Sequence, residues 1–341
     1  TQVPNRFLQR NYGILHWEGI DEVEQENPGT RYVVEHARRI VNRVDSPDLR
    51  MNWSMTPYQG CEHGCAYCYA RPTHEYWGYS AGLDFERVII VKRNAPELLR
   101  ATFMDRNWVP EPIMFSGNTD CYQPVERREG ITRRMLEVLL EFRNPVGMIT
   151  KNALILRDLD LLREMASMGL VSVAISLTTL NEDLRRVLEP RTSTGANRLK
   201  AMEALTRAGV PVFAMIAPII PALNEPEVPA LIEAAADAGA LGAGYTVLRT
   251  NGAVKSVFEN WLRAHFPDRA EKVLLQLRDL HGGQVGDSRF GRRMRGEGPF
   301  ADTVRQVFHL MCRKHFGQRS LPELDRTLFR RPQEGQLDLF R

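Results

Sequence analysis

Along the chain, short runs of β-branched and apolar residues alternate with longer stretches whose apolar positions recur at helical spacing. The runs Asn52–Thr56, Val88–Lys92, Ile113–Ser116, Gly147–Lys151, Val171–Leu177, Val210–Ala217 and Ala243–Leu248 read as strands. Between them the pattern predicts helices over Thr132–Phe142, Leu159–Met168, Ala196–Ala208 and Glu227–Ala238, with Thr132 placed to cap and Gly239 placed to stop. Strands separated by helix-length segments run parallel, because a parallel neighbour is reached only through a crossover. Six or so such units predict an α/β protein built on an open sheet or on a full or partial barrel. In each of these arrangements functional groups gather at the C-terminal ends of the strands.

After Arg249 the pattern turns helical, over Val254–His265, Arg269–Leu280 and Ala301–His315, with a loop rich in Gly and Arg between the last two. The final twenty residues show little periodicity. The chain therefore divides into an N-terminal extension (1–47), a strand–helix core (48–250), a helical C-terminal extension with a basic loop (251–320) and a flexible tail (321–341).

Composition narrows the class. With 341 residues, 43% hydrophobic and 26% charged, the chain can bury a sizeable core, which excludes disordered and collagen-like classes. The net charge of +3 is too small to imply a nucleic-acid partner by itself. It is concentrated, however: 286–320 carries eight Lys/Arg against three Asp/Glu, with Arg289, Arg292, Arg293 and Arg295 beside Phe290. The acidic run Glu18, Asp21, Glu22, Glu24, Glu26 reads as a solvated face. The longest apolar stretch, Val210–Leu223, is cut by three prolines and is too short for a membrane span. Thr1–Arg10 is polar and shows no secretion signal, so a cytoplasmic setting is expected.

The strongest chemical signal is Gly60-Cys61-Glu62-His63-Gly64-Cys65-Ala66-Tyr67-Cys68-Tyr69, which holds three of the five cysteines at Cys-x3-Cys-x2-Cys spacing. One loop with glycines at its turns can wrap a cluster in this way. A cubane iron–sulfur cluster usually takes four thiolates, so three would leave one iron open to a ligand. The alternative is a structural zinc with His63, Cys121 or Cys312 as fourth ligand.

A cysteine triplet of this spacing, with an aromatic residue before the last Cys, after a first strand and before a series of strand–helix units, closely resembles the radical S-adenosylmethionine (SAM) enzymes. The resemblance covers roughly 48–250. It implies a partial (β/α)6 barrel and a [4Fe–4S] cluster on Cys61, Cys65 and Cys68, whose open iron chelates the methionine end of SAM. The reduced cluster would then split SAM to methionine and a 5′-deoxyadenosyl radical, with the electron drawn from a donor such as flavodoxin or ferredoxin.

Tyr67 and Tyr69 flank Cys68 as tyrosines do in the spore photoproduct lyases, and the whole chain is similar to a related group often labelled DNA repair photolyase-like. Tyr69-Ala70-Arg71-Pro72-Thr73-His74, Tyr122-Gln123-Pro124-Val125-Glu126 and Glu189-Pro190-Arg191 carry that likeness. It implies that Tyr67, Gly117, Asn118, Thr119, Lys151 and Ser176 line the cofactor and that Tyr69 relays a radical. A strand-end ammonium such as Lys151 can pair with a carboxylate. Where the lyases read Cys-Thr-Ser-Asp, this chain reads Gly117-Asn118-Thr119-Asp120, and Gly117 has no thiol to donate hydrogen. Cys121, four residues later, is the candidate donor, or else a small core residue.

The chain ends Gln336-Leu337-Asp338-Leu339-Phe340-Arg341, which resembles the pentapeptide that binds the bacterial sliding clamp. Gln336, Leu337, Leu339 and Phe340 are the side chains such a cleft would take. With the basic segment, the motif directs the reading toward DNA, as a lesion-repair lyase. RNA or a peptide as substrate, or a zinc-containing clamp-associated binding module without activity, are the alternatives.

Overall fold

Among the residues described by the computed structural model, 29–49 and 51–332, ten strands form in two sheets. In chain order they are β1 (Arg31–Val34), β2 (Val41–Arg43), β3 (Trp53–Met55), β4 (Tyr58–Gln59) and β5 (Val88–Val91). They continue with β6 (Ile113–Phe115), β7 (Val146–Thr150), β8 (Val171–Ser176), β9 (Val212–Ile219) and β10 (Ala243–Val247). The larger sheet runs β10-β9-β8-β7-β6-β3-β2, parallel throughout except for β2, which pairs antiparallel with β3. From β3 onward each strand is laid beside its predecessor on the same side. The strand order never reverses, as it would in a doubly wound sheet. With β2 and β10 left as edges the wall stays open, which is the partial (β/α)6 barrel the resemblance implies.

The crossovers follow the periodicity. In Ile131–Phe142 the buried positions Ile131, Met135, Leu136, Leu139 and Phe142 form one stripe against the sheet. Leu159–Ser167, Gly195–Arg207 and Val228–Asp237 do the same, each within a residue or two of the expected bounds. Helices Ala95–Met104 and Glu182–Leu188, and the single turns Asp84–Arg87 and Glu126–Glu129, form where the pattern assigns none. Glu182–Leu188 is short, with only Leu184 and Leu188 as buried apolar positions, whereas Ala95–Met104 opens on Ala95-Pro96 and buries Leu99 and Phe103 at four-residue spacing, a stripe the pattern should have shown.

One expectation is corrected. Val88–Lys92 is a strand, but β5 is not part of the barrel wall: it pairs with β1 and β4 in a separate three-stranded sheet. An all-apolar strand shows that both its faces are buried, not which sheet buries them.

The C-terminal helices Ala253–His265, Pro267–Leu280 and Gly298–Phe316 pack beyond β10, with Gly298–Phe316 against Val228–Asp237. The basic loop before the last helix reaches the sheet edge, where Val247 N donates to Met294 O (3.0 Å). Residues 321–332, the described part of the segment expected to be a tail, run along the N-terminal ends of the strands. Asp325 N donates to Gly169 O, Arg330 N to Phe142 O, and Phe329 packs against Phe103 and Phe142. The clamp-like motif and the acidic N-terminal run lie outside the described residues.

Candidate active site

The cysteine loop, 60–70, leaves β4 at the C-terminal end of the barrel wall. Gly60 and Gly64 both take left-handed backbone, at φ 76° and 68°, so the tight turns expected of them are present. Each also admits a close neighbour: a Cβ on Gly60 would meet the Val88 carbonyl, and one on Gly64 would sit 2.8 Å from Glu86 Oε2. The loop is held by backbone bonds from Cys61 N to Phe85 O (2.7 Å) and Ala66 N to Leu188 O (3.0 Å), and by a set of buried side chains. Gln123 donates from Nε2 to Gly60 O (3.1 Å) and accepts from Glu62 N (3.0 Å). Arg71, fully buried, donates to the carbonyls of Gly64 (3.3 Å), Cys65 (2.9 Å), Ala81 (3.1 Å) and Gly82 (3.0 Å), and to Glu86 Oε1 (2.6 Å). Arg191 donates to Glu62 O from the other side and pairs with Glu86 Oε2 (2.7 Å).

The three thiols are free of disulfides, and Cys65 and Cys68 lie near enough to Cys61 to help raise its pKa. Burial, the larger cause, pushes all three above the ordinary thiol range. A thiol in such surroundings becomes thiolate on binding metal. Among the described residues no three His, Cys, Asp or Glu side chains converge as ligands of a single ion would. Thiolates that each hold a different iron need no such convergence, so the donor set fits a [4Fe–4S] cluster on Cys61, Cys65 and Cys68.

Facing the loop are the C-terminal ends of β6, β7 and β8. Asp120 ties the first two together, accepting from Thr150 Oγ1 (2.8 Å) and Lys151 N (2.8 Å), with His63 Nδ1 3.5 Å away. Burial brings His63 down to about 4, so its ring is neutral at physiological pH. Beyond β8 lies Glu189, fully buried. Its carboxylate accepts from the Tyr67 hydroxyl, Thr178 Oγ1 (2.8 Å) and Arg198 Nη2 (2.6 Å), and pairs with Lys151 Nζ at 3.2 Å. Burial alone would raise this carboxyl, but Arg198 and then Lys151 hold it well below the usual carboxylate range. Arg198 also donates to Ser176 O (3.0 Å), fixing the end of β8. The structure thus brings Tyr67, Lys151 and the Ser176 strand end together around a carboxylate. The Lys151 ammonium lies 5.6 Å from the Tyr67 ring centroid.

The other expected residues face different ways. Tyr69 is half exposed, donates to Gly117 O (2.8 Å) and lies under the Arg249 guanidinium, 5.5 Å from the ring centroid. Asn118 donates to Gln59 Oε1 (2.9 Å) and Thr73 Oγ1 (3.3 Å). Thr119 turns inward, its hydroxyl on Tyr58 O (2.6 Å) and beside Thr56 Oγ1 (2.9 Å). Ser116 takes φ 74° as β6 ends, and its Oγ accepts from Cys121 N (2.8 Å). Cys121 itself is fully buried within the main apolar core.

Of the basic loop, Arg289 pairs with Asp287 (2.7 Å), Arg292 with Glu297, and Arg293 with Asp48 (2.6 Å). Arg295 stacks on Tyr245, with its guanidinium 4.2 Å from the ring centroid. Much of the sequence charge is therefore compensated internally. Sequence reasoning gave no role to Arg71, Glu86, Asp120 or Arg198, which lie outside the cysteine motif and gain their partners only through folding. Glu189-Pro190-Arg191 did stand out as a segment, and both its charged residues are central.

A family model described as "Radical SAM superfamily" matches residues 55–235, more than half of the chain. An uncharacterized protein of Mycobacterium tuberculosis is 36% identical over 229 residues, covering 66% of this chain and 67% of that one. One of Methanocaldococcus jannaschii is 28% identical over 191 residues, covering 56% and 68%. Among solved structures, spore photoproduct lyase complexed with a dinucleoside spore photoproduct superposes with a TM-score of 0.61 at 17% identity, covering 84% of this chain and 80% of that chain. A spore photoproduct lyase mutant with bound AdoMet and the same dinucleoside gives a TM-score of 0.61 at 18% identity, with the same coverage. At that identity the likeness is one of fold.

Proposed function

This chain belongs to the Radical SAM superfamily, and from that premise we propose that it is a radical SAM enzyme acting on DNA, in a lesion-directed, lyase-type reaction. When bound, the reduced cluster supplies one-electron cleavage of SAM to methionine and a 5′-deoxyadenosyl radical. In this reading Cys61, Cys65 and Cys68 hold the cluster, and Lys151 offers its ammonium to the methionine carboxylate. Glu189 and Arg198 keep Lys151 and Tyr67 at the pocket wall. Gly117, Asn118, Thr119 and Ser176 form the strand-end turns against which the cofactor lies. Tyr69, at the rim, is the proposed radical relay. Cys121 is the proposed hydrogen donor, and movement of the 116–121 turn would have to uncover it.

The observation that carries the choice of a nucleic acid is the rim beside Tyr69, and likeness in fold to a lyase complexed with a dinucleoside spore photoproduct turns that choice toward DNA. Arg249 lies over the Tyr69 ring and next to Arg293, whose guanidinium in turn stacks 4.3 Å from the centroid of the half-exposed Phe290. Burial and the neighbouring Arg293 push the Arg249 guanidinium below its ordinary value. A crowded cation beside exposed aromatic rings suits a phosphate with an unstacked base next to it. That pairing of groups also favours a strand over a peptide.

The test is 5′-deoxyadenosine release by the anaerobically reconstituted, reduced protein, with intact DNA, ultraviolet-irradiated DNA, RNA or peptide added. Stimulation by irradiated DNA alone is expected. Stimulation by RNA or peptide instead would move the substrate elsewhere, and a colourless protein holding zinc would overturn the reading altogether. No helix among the described residues is long and apolar enough to cross a membrane. A cytoplasmic site of action, a flavodoxin- or ferredoxin-type donor and clamp binding through Gln336, Leu337, Leu339 and Phe340 complete the proposal. Capture of the chain on immobilised clamp, lost in Phe340→Ala, tests the last.

A further inference from the structure

Arg71, Glu86 and Arg191 form a bridge beside the cysteine loop that the chemistry proposed so far does not use. Glu86 links the two guanidiniums, one on each carboxylate oxygen, at 2.6 Å and 2.7 Å. All three side chains are poorly exposed, at 1% for Arg71, 11% for Arg191 and 14% for Glu86, so their charges act through a medium that screens weakly. Their remaining donors grip the loop at the carbonyls of Glu62, Gly64 and Cys65, residues that include or adjoin all of the first two cysteine positions. Gly64 leaves the space through which Arg191 reaches Glu86. The neighbouring Glu62 carboxylate points to Tyr32 and to Val125 N, on the outer side of the loop. Arg71 and Glu86 act on the Cys68 thiol from this side; Lys151, Arg198 and Glu189 on the facing wall also act on Cys65, and Lys151 on Cys68, so these three are kept constant in the test below.

We propose that Arg71, Glu86 and Arg191 are positioning residues that fix the cysteine loop and set the reduction potential of the cluster it holds. The inference rests on the cluster assignment above. Reduction adds one electron, drawn from a flavodoxin- or ferredoxin-class donor, and so one negative charge, to a group beside two guanidiniums and one carboxylate. Net charge near a cluster is one of the levers that set its potential. The two cations favour the reduced form, and Glu86 tempers them while holding both in place.

The test compares iron content and midpoint potential, read by spectroelectrochemistry with redox mediators, in the reconstituted wild type, Glu86→Gln and Arg191→Gln. Glu86→Gln is expected to shift the potential upward and Arg191→Gln to shift it downward, each with wild-type iron content. Arg191→Lys keeps the charge but not the planar fork, and should return the wild-type potential. Iron-loaded variants that shift in the same direction, or not at all, would reduce the bridge to a structural strut and overturn the inference alone. Loss of iron from both Gln variants, or a shifted potential in an iron-loaded Arg191→Lys, would overturn it as well. A wild-type chain that takes up no iron sinks the cluster assignment first.

Discussion

The two ends of the barrel wall are built on opposite principles. At the N-terminal end Phe103, Phe142 and Phe329 pack ring against ring, Trp108 joins Phe103, and residues 321–332 close the surface. At the C-terminal end the strands finish in buried charge: Glu189 between Lys151 and Arg198, Asp120 across two strand ends, Glu86 between two arginines. Apolar packing is non-directional and tolerates no solvent. Buried ions are costly and are kept only where each is paired and hydrogen-bonded. The contrast separates an end that supplies stability alone from an end whose paired charges also hold groups for chemistry.

The sharpest way to break that contrast is to remove the cysteines. Alanine at Cys61, Cys65 or Cys68 should abolish iron binding and 5′-deoxyadenosine release while the unfolding midpoint of the metal-free protein stays close to wild type. A large fall in that midpoint would show the loop to be structural.

Glu189→Gln comes next, and it should cost stability and cofactor binding together, whereas a change at the apolar end should cost stability alone. Two cations would lose their buried counter-charge, a loss of about 3–5 kcal/mol for a broken buried pair. SAM binding should weaken as well, because Lys151 loses its anchor. The sign of the pH effect follows from the depressed carboxyl. The stabilisation is complete above the ordinary Glu range, near pH 4.3, and fades as pH falls toward the lower folded value. Denaturant unfolding followed between about pH 6 and pH 3 should therefore show a wild-type advantage that holds above the ordinary Glu range and shrinks below it.

Phe142→Ala at the opposite end should cost a comparable 3–5 kcal/mol, roughly, from lost burial and cavity formation. Its activity per folded molecule should be unchanged. A selective loss of turnover would mean that the two ends are coupled.

The smallest expected effect is at the rim. Arg249→Ala should leave basal cofactor cleavage intact but weaken DNA binding, with the slope of log affinity against log salt reduced by about one. An unchanged slope would remove Arg249 from the phosphate path.

How far each region was legible before folding follows the same division. Ile131–Phe142 and the β7–β8 pair could be read because their periodicity is local, one apolar stripe or one apolar run. The cysteine loop was legible because three rare residues sit within one turn-rich segment. Glu189 and Arg71 stood out only as parts of segments that carry a likeness, with no role given to either. Nothing near Arg71 in sequence shows that its guanidinium ends among the carbonyls of Gly64, Cys65, Ala81 and Gly82. The basic loop was misleading in the other direction. Its arginines read as free charge, yet Asp48, some 245 positions from Arg293, meets it in space.

The sequence by itself determined the alternation of strand and helix, the parallel sense of the sheet and the thiolate loop. Each depends on residues close enough along the chain for period, spacing or composition to carry the signal. Only the tertiary structure decided that β5 leaves the barrel for a second sheet, that Glu189 joins Lys151 to Arg198, and that Arg71 and Arg191 share Glu86 behind the cysteines. The reason is physical. A charge can be buried only where the fold supplies its partners, and those partners come from strands and helices that the chain brings together only once the core has formed.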